Sequence, residues 1–325
     1  MSHDRRSFVR LMTASLAAPW VATPAAAKNY PSKSVRIVVG YAVGGSNDIY
    51  ARLIGQWLSD RLKHAFVVEN RPGAGSNIAT ESVAKSAPDG YTILLVNPAN
   101  AINASLYDGL SFDFLRDIAP VASMVRQPLV MLVHPSVPAK TIPDFIAWAK
   151  AAPGKATMAS GGPGSINHLA GELFKMNAAI DMVHVPYRGA GPAMNDLLSG
   201  QVQVFFGGVA SASGHVKQGT LRALGVTSSV RSEAFPDIPC ISDHLAGYEA
   251  GDWFGLGVPS GTPDEIIQQL NAEVNAALVD GKLKVRMADI GGIPAPGSPS
   301  DFGQTIVGET RKWAAVIKSA GIKPE

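Results

Sequence analysis

Two glycine-rich turns are the clearest candidates for chemistry in this sequence. One is Gly44-Gly45-Ser46-Asn47-Asp48, and the other is Gly161-Gly162-Pro163-Gly164-Ser165. Each turn follows a β-rich run and precedes a stretch with apolar residues at helical spacing. Glycine lets backbone N–H groups face a concavity, and a helix N-terminus adds unpaired donors and partial positive charge. Each turn therefore predicts an anion site at the start of a helix.

We call residues 41–48 the first loop and residues 160–168 the second loop. Either loop alone is equally consistent with a tight connection that binds nothing. Two loops at corresponding places of two domains could face each other across a cleft and hold one organic acid from both sides. In open α/β sheets, ligands bind beyond the carboxyl ends of the strands, which is where both loops fall.

Other polar residues lie close to these loops in the sequence. The Asp48 carboxylate would repel an anion that approached it directly. We therefore expect Asp48 either to hold the first loop in place or to accept a hydrogen bond from a water or from an ammonium group of the ligand. His168, just after the second glycine turn, could contact a ligand or be structural. A third glycine turn, Arg71-Pro72-Gly73-Ala74-Gly75-Ser76-Asn77, could line the same edge, with Arg71 as a charge or as a surface residue.

Signatures of catalysis and of metal binding are missing. The sequence has no Gly-x-Ser-x-Gly elbow and no Walker-type phosphate loop. The 7 histidines show no metal-ligand spacing with cysteine or acids. We therefore predict a binding protein without metal or cofactor, and a periplasmic enzyme acting on an organic acid remains the weaker alternative.

The N-terminal residues have the pattern of a targeting segment. Residues 4–10 are charged and contain Arg5-Arg6, residues 11–22 form a short apolar run, and Ala25-Ala26-Ala27 supplies the small residues of a cleavage site. The run is too short to span a bilayer, which takes about 20 residues. We predict that residues 1–27 are a cleaved signal, of twin-arginine or ordinary secretory type, and that the mature protein is periplasmic.

Charge and cysteine content narrow the class of protein further. A net charge of +2 predicts no partner among nucleic acids or acidic membranes. Cys240 is the only cysteine, so no internal disulfide is possible. No cysteine directly follows the predicted cleavage site, which argues against a lipid anchor.

The mature sequence alternates β-rich runs with amphipathic stretches throughout. Predicted strands are 35–39, 66–68, 91–96, 129–133, 156–159, 182–185, 202–206, 221–226 and 254–258. Near-continuous apolar runs favour parallel sheets covered on both faces. Ser165 and Thr262 are predicted to cap the helices that follow them. The fold class is α/β, and 325 residues fit two domains better than one.

Ordered segments along nearly the whole mature chain closely resemble the Bug family, the periplasmic solute receptors of tripartite tricarboxylate transporters. The matching segments are Gly44-Gly45 with Asp48, Glu69 to Gly75, Ala87 to Tyr91, Asp117 with Pro120-Val121, Gly164-Ser165 with His168 to Leu173, His184 to Tyr187 with Gly189, Gly247 to Glu249 ahead of Trp253, and Pro259 with Gly261 to Pro263.

The resemblance implies a two-lobed, Venus-flytrap-like receptor, each lobe a mainly parallel sheet flanked by helices, with the ligand in the cleft between them. Family members bind carboxylates, dicarboxylates, amino acids, or aromatic acids and their amides. Backbone groups of the two loops hold the carboxylate, often through waters. The ligand-binding residues that the family motifs imply are Tyr41, Ala42, Val43, Gly44, Gly45, Ser46, Asp48, Asn97, Ser160, Gly161, Gly162, Gly164, Ser165, His168, Tyr187, Gly189, Ala190 and Gly207.

Two departures from the family pattern bear on the ligand. Ala42 stands where the family usually has proline, which makes the first loop less rigid. Gly207-Gly208 stands where the family usually has an acidic residue. Loss of that acid would remove repulsion and open space, which suggests a larger or doubly anionic ligand such as an aromatic dicarboxylate; neutral drift explains the change equally well.

These observations predict a monomeric receptor that closes on a small organic acid and delivers it to the membrane permease subunits of a tripartite tricarboxylate-type transporter. Lobe one comprises residues 28–125 and 251–325, and lobe two comprises residues 126–250. We expect the hinge crossings near 125–130 and 247–254. A sensor that presents the bound acid to a kinase remains the alternative role.

Overall fold

The computed structural model describes residues 30–151, 153–187 and 189–324, so the predicted signal segment 1–27 lies outside the described residues. The strands are β1 (Val35–Val39), β2 (Phe66–Asn70), β3 (Thr92–Val96), β4 (Ile118–Val133), β5 (Thr157–Ser160), β6 (Val183–Pro186), β7 (Val204–Gly208), β8 (Arg222–Val226), β9 (Gly251–Pro259) and β10 (Ile293–Pro294).

The helices alternate with the strands along most of the chain. They are α1 (Ser46–Leu62), α2 (Asn77–Ala84), α3 (Pro98–Leu106), α4 (Phe114–Asp117), α5 (Ile142–Ala151), α6 (Ile166–Ala178), α7 (Ala190–Leu198), α8 (Val209–Lys217), α9 (Asp264–Val279), α10 (Gly281–Asp289) and α11 (Pro299–Ala320), with short 3-10 turns at Ala74–Ser76 and Ile241–Asp243. None of the described helices is both long and apolar enough to cross a membrane.

The strands form one mixed sheet with two halves. In the first half β2, β1 and β3 are parallel, and in the second half β6, β5 and β7 are parallel. The antiparallel strands β9 and β4 lie between them, in the order β2-β1-β3-β9-β4-β7-β5-β6. The α/β prediction is confirmed, and each half combines a parallel core with antiparallel strands where the halves meet.

Strand β4 passes from one half to the other. Its residues 118–128 pair with β9, and residues 129–133 pair with β7 and β8. The sequence predicted only the second part, 129–133, as a strand. Pro120 and Pro128 interrupt the first part, and proline argues against a strand because it cannot donate to the ladder. Register shifts beside Pro120 accommodate the interruption.

Two predicted helix caps have different outcomes. The Ser165 side chain accepts from the His168 N–H at the start of α6, as expected. The prediction for Thr262 is wrong, because its hydroxyl donates to the Pro259 carbonyl at 2.7 Å and Pro263 is the N-cap of α9. The hydroxyl closes the turn before the helix instead of capping it.

Each half of the sheet has its own apolar core. Ile37, Ile54 and Leu256 belong to the core of the first half, while Phe145 and Phe206 belong to that of the second. Helices α3 and α11 contribute to the second core through Leu106, Trp313 and Ile317, although the chain approaches these helices from the first half. The two halves are therefore connected by packed helices as well as by β4 and β9.

Candidate functional site

The predicted site residues lie at the carboxyl ends of parallel strands in both halves. The first loop follows β1, and Asn97 follows the neighbouring strand β3. The second loop follows β5. Tyr187 follows β6 and Gly207 is the next-to-last residue of β7, and these two strands are the neighbours of β5. Ligand sites of open α/β sheets lie at such ends.

The first loop presents exposed backbone at the start of α1. Ala42, Val43, Gly44 and Gly45 are exposed. The N-cap residue of α1 is Gly45, and no side chain caps the helix. The first N–H groups of a helix have no partner within the helix, so this terminus can donate to an anion.

Asp48 fixes the first loop. Its Oδ2 accepts from the Gly44 N–H and from Arg52 Nε, both at 3.0 Å, and Arg52 Nη2 lies 2.8 Å from Oδ1. Burial by itself raises the pKa of Asp48, but the bonds from Arg52 and Gly44 outweigh burial and lower the pKa overall. Asn70 Nδ2 also donates to the Tyr41 carbonyl at 2.9 Å. Asp48 is therefore engaged in holding the loop, one of the two roles that the sequence left open.

The second loop is held by hydrogen bonds among its own residues. Ser165 Oγ donates to the Gly162 carbonyl at 2.6 Å, and the Gly162 N–H donates to Ser160 Oγ at 3.1 Å. Gly164 N–H donates to His168 Nδ1 at 3.2 Å. Ser160 and His168 are buried, at 0% and 5% exposure. In this conformation, the Ser160 and His168 side chains hold the loop from its buried side.

A second histidine, His184, lies against His168. The rings of His168 and His184 stack at 3.7 Å between centroids, with 6° between their planes. His184 Nε2 lies 2.6 Å from Ser160 Oγ, and His168 Nε2 lies 3.6 Å from Glu172 Oε1. Burial, and next the neighbouring His168, lower the pKa of His184 to about 4. The second loop therefore rests on a stacked pair of rings, of which His184 is neutral at neutral pH.

This arrangement predicts acid sensitivity of the fold. His184 takes up a proton near pH 6.5 in the unfolded chain and near pH 4 in the folded chain. The contribution of neutral His184 to stability is therefore fully present above pH 6.5 and is lost as the pH falls to 4. We expect a loss of about 1–2 kcal/mol across this window, after discounting for partial exposure. Urea unfolding at pH 7, 5.5 and 4 measures it. The His184→Gln variant should lose part of the pH dependence; an identical slope in both proteins would contradict the assignment.

Close contacts connect the second loop to its neighbours. A Cβ at Gly161 would lie 3.5 Å from the Ala190 nitrogen and 3.5 Å from the Gly189 carbonyl carbon. A Cβ at Gly162 would lie 3.3 Å from the Tyr187 carbonyl oxygen. The structure therefore brings the second loop together with the predicted residues after β6. The Tyr187 hydroxyl itself is engaged, since it donates to Asp196 Oδ2 at 2.6 Å.

Helix α3 connects the two groups of predicted residues. It begins after Asn97, whose Oδ1 accepts from the Ala99 N–H at 2.9 Å. Near its C-terminus, Leu106 packs directly against Gly164 of the second loop. The Asn97 side chain is buried, and its Nδ2 has no hydrogen-bond partner among the described residues.

Gly207 is buried, and the space that a side chain would need is filled. A Cβ there would lie 3.0 Å from Phe205 Cε1 and 3.1 Å from Leu132 Cδ1. The expected opening of space at this position is therefore absent in the Cβ direction. The change of charge that the family resemblance implies at this position stays a prediction.

The third glycine turn is a polar cluster whose extent the sequence did not predict. Asn103 Nδ2 donates to Gly75 O at 2.7 Å and to Asn77 Oδ1 at 2.9 Å, while Thr80 Oγ1 donates to Ser76 O at 2.9 Å. Arg71 pairs with Glu69 at 2.6 Å, so the surface role fits it better. The glycine-rich run itself was recognisable in the sequence, but the sequence did not indicate that Asn103 of α3 would bond to it.

A second missed residue is Asp252, the second residue of β9. It is half-buried, and it lies within electrostatic range of Tyr41 in the first loop. A single acid ahead of a buried strand gave no sequence signal of its own.

Two surface grooves lie away from the loops and contain none of the predicted site residues. One, of about 550 Å³, is lined by residues of α4, β4 and α11, including Phe114, Ile118 and Arg311. The other, of about 410 Å³, includes Arg36 and Asp89. Within the described part of the chain, no group of three or more His, Cys, Asp or Glu side chains is arranged to hold a metal ion.

Comparison with known proteins agrees with this architecture. Residues 50–322 match the family model described as "Tripartite tricarboxylate transporter family receptor". The chain is 35% identical over 313 residues to protein BugT of Bordetella pertussis, an alignment that covers 95% of each chain.

Solved structures give the same result. The structure titled R. palustris Rpa4515 with adipate has a TM-score of 0.85 and 34% identity, covering 91% of this chain and all of the other. MatC from Rhodopseudomonas palustris with bound malate has a TM-score of 0.79 and 29% identity, covering 89% of this chain and 100% of the other. These likenesses show that the fold of this chain is periplasmic-binding-protein-like, as predicted. The chain thus belongs to the tripartite tricarboxylate transporter receptors, a family of solute-binding proteins and not of enzymes.

Proposed function

We propose that this protein is a periplasmic receptor that binds a small organic acid between the first and second loops and delivers it to the permease of a tripartite tricarboxylate-type transporter. The observation that carries this proposal is the N-terminus of α1. It follows an exposed glycine pair, has no side-chain cap, and lies at the strand edge that also carries Asn97.

The second loop supplies the opposite wall of the proposed site. The Ser165 side chain already caps α6, and the Gly162 N–H already donates to Ser160 Oγ, so the backbone donor that the second loop offers is the N–H of half-exposed Gly161. A carboxylate between the loops would accept from backbone donors on both sides. Such bonds to a charged group contribute roughly 1.5–3 kcal/mol each, and four or five of them would reach micromolar affinity after ordering costs.

Relatives with known ligands support a carboxylate as the ligand. One structural relative holds adipate and another holds malate. A ligand that contacts both loops stabilises a closed conformation of the two lobes, which are residues 28–125 with 251–325 and residues 126–250 in our proposal. Export by cleavage after Ala27 and a monomeric mature chain belong to the same proposal.

A thermal-unfolding screen tests the proposed function. The mature protein is refolded from denaturant to remove any co-purified ligand and is then heated with mono-, di- and tricarboxylates, aromatic acids and amino acids. An acid at 100-fold over its Kd adds about 2.7 kcal/mol of stability. This corresponds to several degrees in Tm at about 2–4 °C per kcal/mol. If no acid raises the Tm of the refolded protein, the carboxylate proposal is wrong.

A further inference from the structure

Asp252 occupies the place where the two halves of the sheet meet. In the β4–β9 ladder Asp252 is opposite Gln127 and Gly251 is opposite Pro128. The next residue of β4, Leu129, is opposite Gly208 at the end of β7. Asp252 therefore lies within a few residues of Gly207 and Gly208 at the end of β7.

Within the part of the chain that the structure describes, the Asp252 carboxyl has no charged partner. Among the described residues, no Lys, Arg or His nitrogen lies within the 4.0 Å ion-pair distance of its oxygens. The titratable groups that interact with it are the hydroxyls of Tyr41, from the first loop, and Tyr50, from α1. Burial raises the pKa of both tyrosines, so they stay protonated near neutral pH. Its cross-strand neighbour Gln127 is uncharged, and its amide donates to the Ile290 carbonyl.

The other carboxylate near the first loop is already satisfied. Asp48 has the Gly44 N–H and the Arg52 guanidinium as partners. For Asp252, burial raises the pKa to about 7, although a hydrogen bond from the Trp253 backbone opposes that rise. A half-buried carboxylate without a cationic partner is destabilising, and it gains most from a donor that arrives with the ligand.

Resting on the proposed function, we propose that Asp252 selects the ligand: the bound acid carries, besides the carboxylate held by the loops, a hydrogen-bond donor that Asp252 accepts. The donor is an ammonium, an amide N–H or a hydroxyl group. A plain dicarboxylate would place its second charge near that of Asp252, and repulsion between them would weaken binding.

Calorimetric titration of the refolded protein with a matched series tests this inference. Succinate, malate and aspartate share one four-carbon diacid skeleton and carry hydrogen, hydroxyl and ammonium on carbon 2; adipate and 2-aminoadipate repeat the comparison at greater length. At pH 8 we expect the donor-bearing member of a series to bind at least ~10-fold more tightly than the plain diacid. Asp252→Asn should reduce this preference to about threefold or less, since the amide keeps the shape but not the charge.

Asp237→Asn is the matched control, because it removes the same charge from an exposed loop residue. It should leave the preference unchanged. A second measurement needs no variant: the wild-type preference for the ammonium ligand should decline between pH 8 and pH 6, as the Asp252 carboxyl takes up a proton. This measurement uses only the wild-type protein, so it does not depend on whether an Asp252 variant folds.

The outcomes separate the two proposals. If acids bind but the preference is absent, or is the same in Asp252→Asn and at pH 6, the inference about Asp252 is wrong and the proposed function stands. If no acid of either series, and none of the thermal screen, binds to the wild-type protein, the proposed function fails and this inference fails with it.

Discussion

Replacing Asp48 by alanine is expected to weaken binding of the acid by about 10- to 100-fold, because the first loop loses the group that holds it in place. The Asp48 carboxylate accepts from the Gly44 N–H at 3.0 Å and pairs with Arg52. Without it, the donors at the start of α1 must be ordered by the ligand itself, at the expense of affinity. The loss of one charge-assisted bond, roughly 1.5–3 kcal/mol, sets this range. Calorimetric titration with the acid from the thermal screen measures it.

The matched control is Asp144→Ala. Asp144 accepts from the Lys140 and Thr141 N–H groups at the start of α5, away from both loops. Like Asp48, it accepts from the backbone N–H four residues before it, so its removal should lower stability slightly without changing affinity. Equal losses of affinity in the two variants, or none in Asp48→Ala, would show that the first loop does not form the site.

The Gly164→Ala variant should lose about 2–4 kcal/mol of stability and much of its affinity. Gly164 has φ +70°, a conformation that costs other residues about 1–2 kcal/mol. The added Cβ would also overlap Leu106 Cδ2 of α3, whose side chain is 5% exposed. Overpacking of this kind adds about 1–3 kcal/mol. Because the second loop must shift away from α3 to relieve the overlap, its backbone donors shift too. Urea unfolding and ligand titration give the two readouts.

Gly219→Ala separates the strain from the overlap. Gly219 has φ +71°, and nothing lies within 4 Å of the position that its Cβ would occupy. This variant should lose only the strain energy and should bind the acid normally. Adding Leu106→Ala to Gly164→Ala should recover part of the loss, as a coupling between contacting residues. If the two glycine variants behave alike, the contact between α3 and the second loop has no energetic role.

The sequence predicted features that depend on local pattern. Gly44-Gly45 and Gly161-Gly162 each follow a strand and precede a helix, and the structure has both turns at carboxyl strand ends. Ser165 caps α6 as its position in the sequence predicted. Glycine, capping residues and apolar runs specify turns and element ends through nearest neighbours, so one sequence is enough to find them.

Features that depend on pairing between distant segments were missed. Residues 118–128 form a strand only because β9 pairs with them, against the preference of Pro120 and Pro128. The stacked rings of His168 and His184 come from α6 and β6. Asp252 becomes noteworthy only when Tyr41 and Gln127 are placed beside it. Such contacts arise from tertiary packing, which local sequence patterns do not encode.

Backbone hydrogen exchange with and without the acid shows directly whether the acid binds between the first and second loops. We expect the acid to slow exchange in the peptides that cover residues 44–46 and in those that cover residues 161–165. Exchange in the peptides that line the groove of Phe114 and Arg311 should be unchanged. Protection of one loop alone, or protection confined to that groove, would contradict a site formed between the two loops.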